Sequence, residues 1–128
     1  MARIVYPLVI AALMASAVPA FAADVYRGAL TDKDRPVPVT LTIEAHKYPG
    51  DAAGQIRFGE PWACDLKLEF SGTNGQTDTY SFKGAGAGAC SALNLGFMQS
   101  HLAGTSLQIE LFDQKKASRQ KVSLTPVK

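Results

Sequence analysis

Cysteine and histidine are both scarce in this sequence, with two of each among 128 residues. No C-x-x-C pair occurs, and neither His46 nor His101 stands near a cysteine. A dithiol redox centre or a Cys–His nucleophile therefore has no local support. There is no G-x-S-x-G and no phosphate-cradling G-x-x-x-x-G-K-[ST]. Sustained helical periodicity, an internal repeat and an interdomain linker are lacking too. An excess of charge is also missing: 13 basic residues face 11 acidic ones. That balance gives no reason to expect nucleic acid or an anionic membrane surface as a partner.

Long apolar runs are limited to one, at the N-terminus. Arg3 precedes "IVYPLVIAALMASAVPAFA", which ends in Ala20-Phe21-Ala22. A positive start, an uncharged run and small residues at the last and third-last positions form a secretory leader with its cleavage site. A bilayer-spanning helix is the competing reading; Pro7, Pro19 and the small-residue finish favour cleavage. Residues 1–22 are thus expected to be a signal peptide and 23–128 a single β-domain. Removing 22 of the 128 residues leaves 106, one domain's worth, with one Arg gone and a net charge of +1. No cysteine follows the cleavage site to take a lipid, and no second run could span a membrane. The expected location is the periplasm or outside the cell.

What is present is alternation. In "VPVTLTIEA", Val37, Val39, Leu41, Ile43 and Ala45 alternate with polar residues. "WACDLKLEF" sets Trp62, Cys64, Leu66, Leu68 and Phe70 on one face against Asp65, Lys67 and Glu69. "TSLQIELF" repeats the pattern with Leu107, Ile109 and Leu111. Period two means strands half-buried on one face. Shorter runs add strands at Val25–Leu30, "GQIRF", "DTYSF" and "KVSLTPV". "ALNLGFM", Ala92–Met98, reads as a strand in preference to a short helix. Turn-formers fill 31–36, 48–54, 59–61, 71–77 and 113–120. Short connections favour sequential antiparallel pairing. A one-sided sheet of this size must close or fold over to bury its apolar face. The expected fold is all-β: a small antiparallel up-and-down barrel of seven or eight strands, with a β-sandwich as the alternative. Whether its interior is packed or hollow stays open at this stage.

In an oxidising compartment Cys64 and Cys90 are expected to pair. The loop they close is worth roughly 3.5 kcal/mol in the chain-entropy model. "GAGAGA", Gly84–Ala89, reads as a flexible loop, or as a stretch stripped of side chains so that a bulky group such as Trp62 can lie close.

Few residues invite chemistry. Ser100 and His101 are adjacent and expected on a surface turn; on a strand they would face opposite ways. His46, His101 and Asp51 have no metal-ligand spacing. Asp65 and Glu69 share a face about 13 Å apart, wider than the pairs used for glycoside hydrolysis. With Lys67 between them they form a solvated face. The run "KKASRQK" is a solvated hairpin tip carrying Lys115, Lys116, Arg119 and Lys121. Glu60 differs: it sits in a turn beside Pro61 and Trp62, where a carboxylate next to an indole can hold a cationic or hydroxylated ligand.

The succession "GQIRFGEPWACDLKLEF", "TYSF" and "CSALNL" resembles a loose class of small exported bacterial β-domains with a paired-cysteine pattern. The resemblance covers about Gly54 to Leu95 and implies the fold and the disulfide, not a catalytic residue. In size, location and disulfide the chain is also similar to periplasmic lysozyme inhibitors of the eight-stranded barrel type. The expectation is an exported non-catalytic binding protein of the bacterial cell envelope, needing no cofactor or metal. Its ligand would be a small molecule or glycan at the barrel mouth, near Arg57, Glu60, Trp62 and Tyr80. The alternative is a protein-binding inhibitor or envelope interaction factor.

Overall fold

A computed structural model describes residues 23–127; the expected leader lies outside them. Eight strands follow one another: β1 (Ala23–Asp32), β2 (Arg35–Glu44), β3 (Ala52–Phe58), β4 (Cys64–Asn74), β5 (Thr77–Lys83), β6 (Phe97–Ala103), β7 (Ser106–Phe112) and β8 (Ser118–Pro126). Each pairs antiparallel with the next, and β8 returns to β1, so the sheet is a closed barrel in up-and-down order. Every strand therefore has a partner on both sides, although the β1–β8 ladder is short, Tyr26–Gly28 against Leu124–Pro126.

The interior is filled. Val37, Val39 and Leu41 on β2, Leu66, Leu68 and Phe70 on β4, and Leu107, Ile109 and Leu111 on β7 are buried. They are the alternate residues that period two selects, and with their counterparts on the other strands they form one hydrophobic cluster. An eight-stranded barrel is just narrow enough for side chains to fill.

Two local devices keep the alternation on register. Between Ala52 and Gly54 the β3–β4 pairing shifts by one residue; this bulge lets Ala53 and Ile56, three apart, both point inward. Gly54 holds a positive φ of 121° there, and a methyl group on it would overlap the Thr42 carbonyl. At the closing seam, Gly28 lies opposite Leu124, where a Cβ would stand 2.5 Å from the Ser123 carbonyl oxygen. Neither position has room for a side chain.

The two ends of the barrel differ. One carries the β1–β2, β3–β4, β5–β6 and β7–β8 connections and is plugged. The β5–β6 connection forms a short 3₁₀ helix, Gly88–Leu93, that buries Cys90 and Leu93. Cys64 and Cys90 are joined by a disulfide, Cα–Cα 6.1 Å, tying the start of β4 to this plug. Beside it, the Trp62 ring packs 4.9 Å from the Phe58 ring, and its Nε1–H donates to Asp32 Oδ2 at 2.9 Å.

Several sequence expectations need correction. Ala92–Met98 is not a strand: helix occupies it to Leu93, a turn follows, and β6 begins at Phe97. The Asn94 side chain explains the stop, since its Oδ1 accepts from the Gly86 amide at 2.7 Å and folds the connection back on itself. Trp62 is not on β4; it belongs to the turn before it, where Ala63 has φ 47°. The turns expected at 71–77 and 113–120 are shorter, because β4 runs on to Asn74 and β8 starts at Ser118. Ser100 and His101 lie on β6, not on a turn. In the "GAGAGA" stretch the close neighbours are Cys90 and Leu66, against which a Cβ on Gly86 would collide; they are not the Trp62 ring.

Candidate functional site

The opposite end is open. It carries the β2–β3, β4–β5 and β6–β7 connections and the start of β1. A cavity of about 530 Å³ lies there, within the size range of small-molecule sites. Ile43, Leu107 and Tyr80 give it an apolar lining; Asp24, Tyr26, His46, Asp78, Ser100 and His101 supply polar groups.

Each polar group has a local reason to be there. On β1, period two that puts Leu30 and Gly28 inward also puts Tyr26 and Asp24 on the inner face at the mouth. On β5 the same logic carries the inner face from Phe82 through Tyr80 to Asp78, and on β6 from Met98 to Ser100. Tyr80 and Ser100 are almost wholly buried, at 2% and 4% exposure. Both side chains line the floor of the mouth.

His46 comes from the β2–β3 loop. Asp51 shapes that loop by accepting the backbone N–H groups of Lys47 and Tyr48 on Oδ2, both at 2.8 Å. The Tyr48 amide first, and then that of Lys47, hold the Asp51 carboxyl below its ordinary range. The loop is clamped to β4 by Gly50 N–H to Phe70 O and Phe70 N–H to Asp51 O. So fixed, the imidazole lies over Phe70 with ring centroids 4.3 Å apart, and meets Tyr80 edge-on at 5.4 Å. Its Nδ1 is 2.8 Å from the Glu44 carbonyl oxygen, which assigns the proton to Nδ1. Nε2 is then an acceptor, 3.5 Å from the Tyr80 hydroxyl, a long and weak contact.

The mouth disfavours negative charge. Burial first, and then the neighbouring Asp78, raise the Tyr80 phenol well above its ordinary value, with Tyr26 adding to the effect. Tyr26 is raised as well, by burial and then by Asp24.

The residues singled out in the sequence do not form one site. Glu60 is exposed in the turn at the plugged end, beside half-buried Trp62. Arg57 projects from the outer wall of β3, paired in register with Asp65, and edges only a shallow surface hollow with Phe58, Ala63, Cys64 and Asp65. Tyr80 alone of the four faces the open mouth. The indole of Trp62 packs on Phe58 and bonds to Asp32 at the plugged end. Asp24, Tyr26 and Asp78 had no motif to announce them. The signal that could have found them is the continuation of each inward-facing series to the strand end, where a polar residue on the buried face stands out. His101 alternates with Ser100 and is exposed. Among the described residues, no three His, Cys, Asp or Glu side chains converge as a metal ion would need. No family model, curated protein or solved structure matches this chain.

Proposed function

We propose that this is an exported, non-catalytic binding protein of the cell envelope that takes a small molecule in the open mouth of its barrel. The observation that carries the reading is the asymmetry of the ends. One is closed by a disulfide-anchored plug, while the other keeps a cavity of about 530 Å³ whose apolar lining is met by convergent polar side chains. Such a combination is what small-ligand sites are made of. The leader-like N-terminus and the disulfide support export.

One feature favours binding over catalysis. The His46 ring nitrogen Nδ1 bonds to a backbone carbonyl, that of Glu44, and not to a carboxylate that would stabilise an imidazolium.

The test is a two-dimensional NMR titration with a panel of amines, polyols and envelope saccharides. Saturable shifts confined to Tyr26, His46, Tyr80 and Ser100 are expected. No response at the mouth from any of them, together with inhibition of lysozyme by the protein, would replace this reading with that of a protein-binding inhibitor.

A further inference from the structure

Two short segments of the same form face each other in the mouth. Asp24-Val25-Tyr26 is at the start of β1 and Asp78-Thr79-Tyr80 at the start of β5. In a ring of eight strands β1 and β5 are diametrically opposed, and all four Asp and Tyr side chains line the one cavity. Period two puts each carboxylate above its tyrosine on the inner face. The mouth is therefore built with a carboxylate near the rim and an aromatic ring beneath it, twice over.

Among the described residues, no Lys or Arg answers these carboxylates. The ion pairs among the described residues are Lys83–Glu69 and Arg119–Asp113, both away from the mouth, and neither Lys nor Arg lines the cavity. Asp78 takes one hydrogen bond, from the Thr73 hydroxyl at 2.5 Å, which leaves its charge in place. The Tyr26 and Tyr80 phenols are raised by burial first, and second by Asp24 and Asp78 respectively. If the chain is cut after Ala22, the new α-ammonium stands next to Asp24; Asp78, on the far wall, is still unanswered.

Resting on the small-molecule reading above, we infer that the ligand of this mouth is a compact organic cation. Its ammonium group would be held between Asp24 and Asp78 and over the half-buried ring of Tyr26, with Tyr80 forming the floor beneath, and its apolar part would lie on Ile43 and Leu107. An ammonium gains both from the carboxylates and from the aromatic faces. An anion meets repulsion from every charged wall group. A neutral isostere gains neither term.

Choline tests this, against two probes of the same shape: the uncharged alcohol in which a tert-butyl group replaces trimethylammonium, and the tert-butylacetate anion. Affinities are read from NMR shifts of Tyr26, His46 and Tyr80 in the chain beginning at Ala23. Choline should bind at least about tenfold more tightly than the neutral isostere, and the anion should not bind. Asp24→Asn and Asp78→Asn should each weaken choline severalfold and leave the neutral probe unchanged. Glu110→Gln, on the outer wall, should alter neither, which separates the mouth from bulk charge. Equal binding of choline and its neutral isostere, or tighter binding of the anion, would overturn the cation assignment while leaving a small-molecule site standing. Binding of none of the three, and of nothing else in the wider panel, would overturn the site itself and the assignment with it.

Discussion

Trp62 shows how a residue conspicuous in the sequence can be spent on structure. Its ring covers Phe58, and its indole N–H is bonded to Asp32 across the plugged end. Trp62→Phe keeps most of the packing and removes the bond; a half-buried hydrogen bond to a charged acceptor is worth about 1.5 kcal/mol. The expected result is a loss of about that size in denaturant unfolding, with no change at the mouth; unchanged stability would show that the bond contributes nothing. Tyr80 is the converse case, an aromatic with a polar duty inside the core. Tyr80→Phe removes a buried phenol next to the buried Ser100 hydroxyl and should cost about 1–3 kcal/mol, the penalty for stranding a buried polar group. Ser100→Ala made on top of it should recover part of that loss. If the two losses simply add, the hydroxyls are not coupled.

At the scale of elements, alternation made the strands readable. Val37–Ile43, Leu66–Phe70 and Leu107–Leu111 each show apolar residues every second position, because one face of each strand is buried and the other is wet. The β5–β6 connection was not readable in the same way. Leu93, Leu95 and Phe97 alternate too, yet Leu93 is buried in the plug, Leu95 is exposed at 69%, and only Phe97 is on a strand. What decides this segment is the disulfide to Cys64 and the Asn94 clamp on Gly86, contacts far apart in sequence. The plug depends on that bond: Cys64→Ala with Cys90→Ala should cost about 3 kcal/mol, measured by unfolding of the oxidised wild type against the variant. A loss confined to the plugged end by hydrogen exchange would fit; a collapse of protection at the mouth as well would mean that the staple holds the whole barrel.

The β7–β8 turn offers a pH test at the same scale. Asp113 accepts the amides of Ala117 and Lys115 and pairs with Arg119 at 3.2 Å. The Ala117 amide is the largest of the influences holding its carboxyl below the ordinary range. A depressed folded pKa means stability that is fully present above the unfolded carboxylate value, about 3.9. That stability is lost as pH falls through the folded value. Amide exchange at Lys115 and Ala117 should therefore quicken only in acid, below the usual carboxylate range. Asp113→Asn should be faster at neutral pH and lose the acid step; a wild-type step centred near neutrality would contradict the assignment.

For the whole molecule, the size of the sheet and its one-sided strands implied closure, but the pattern did not say where the barrel would open. A site made of strand ends depends on which ends come together, and that follows from strand order and register. Asp24 and Tyr80 are far apart in sequence and meet only because β1 and β5 face each other in the closed ring. Sequence proximity instead drew attention to Glu60 and Trp62, neighbours in a turn at the wrong end for Tyr80. Closure itself runs through a short seam, Tyr26–Gly28 against Leu124–Pro126, where Gly28 admits the Ser123 carbonyl and the Leu124 side chain at distances no Cβ allows. Gly28→Val must push β8 away, and overpacking of this kind costs about 1–3 kcal/mol. Because Tyr26 belongs to both the seam and the mouth, the same substitution should loosen amide protection along β1 and β8 and weaken ligand binding, while β3–β5 keep their protection. Ala29→Val, one residue along and facing solvent, should do neither. If Gly28→Val binds and exchanges like the wild type, the seam is not what holds the mouth in shape.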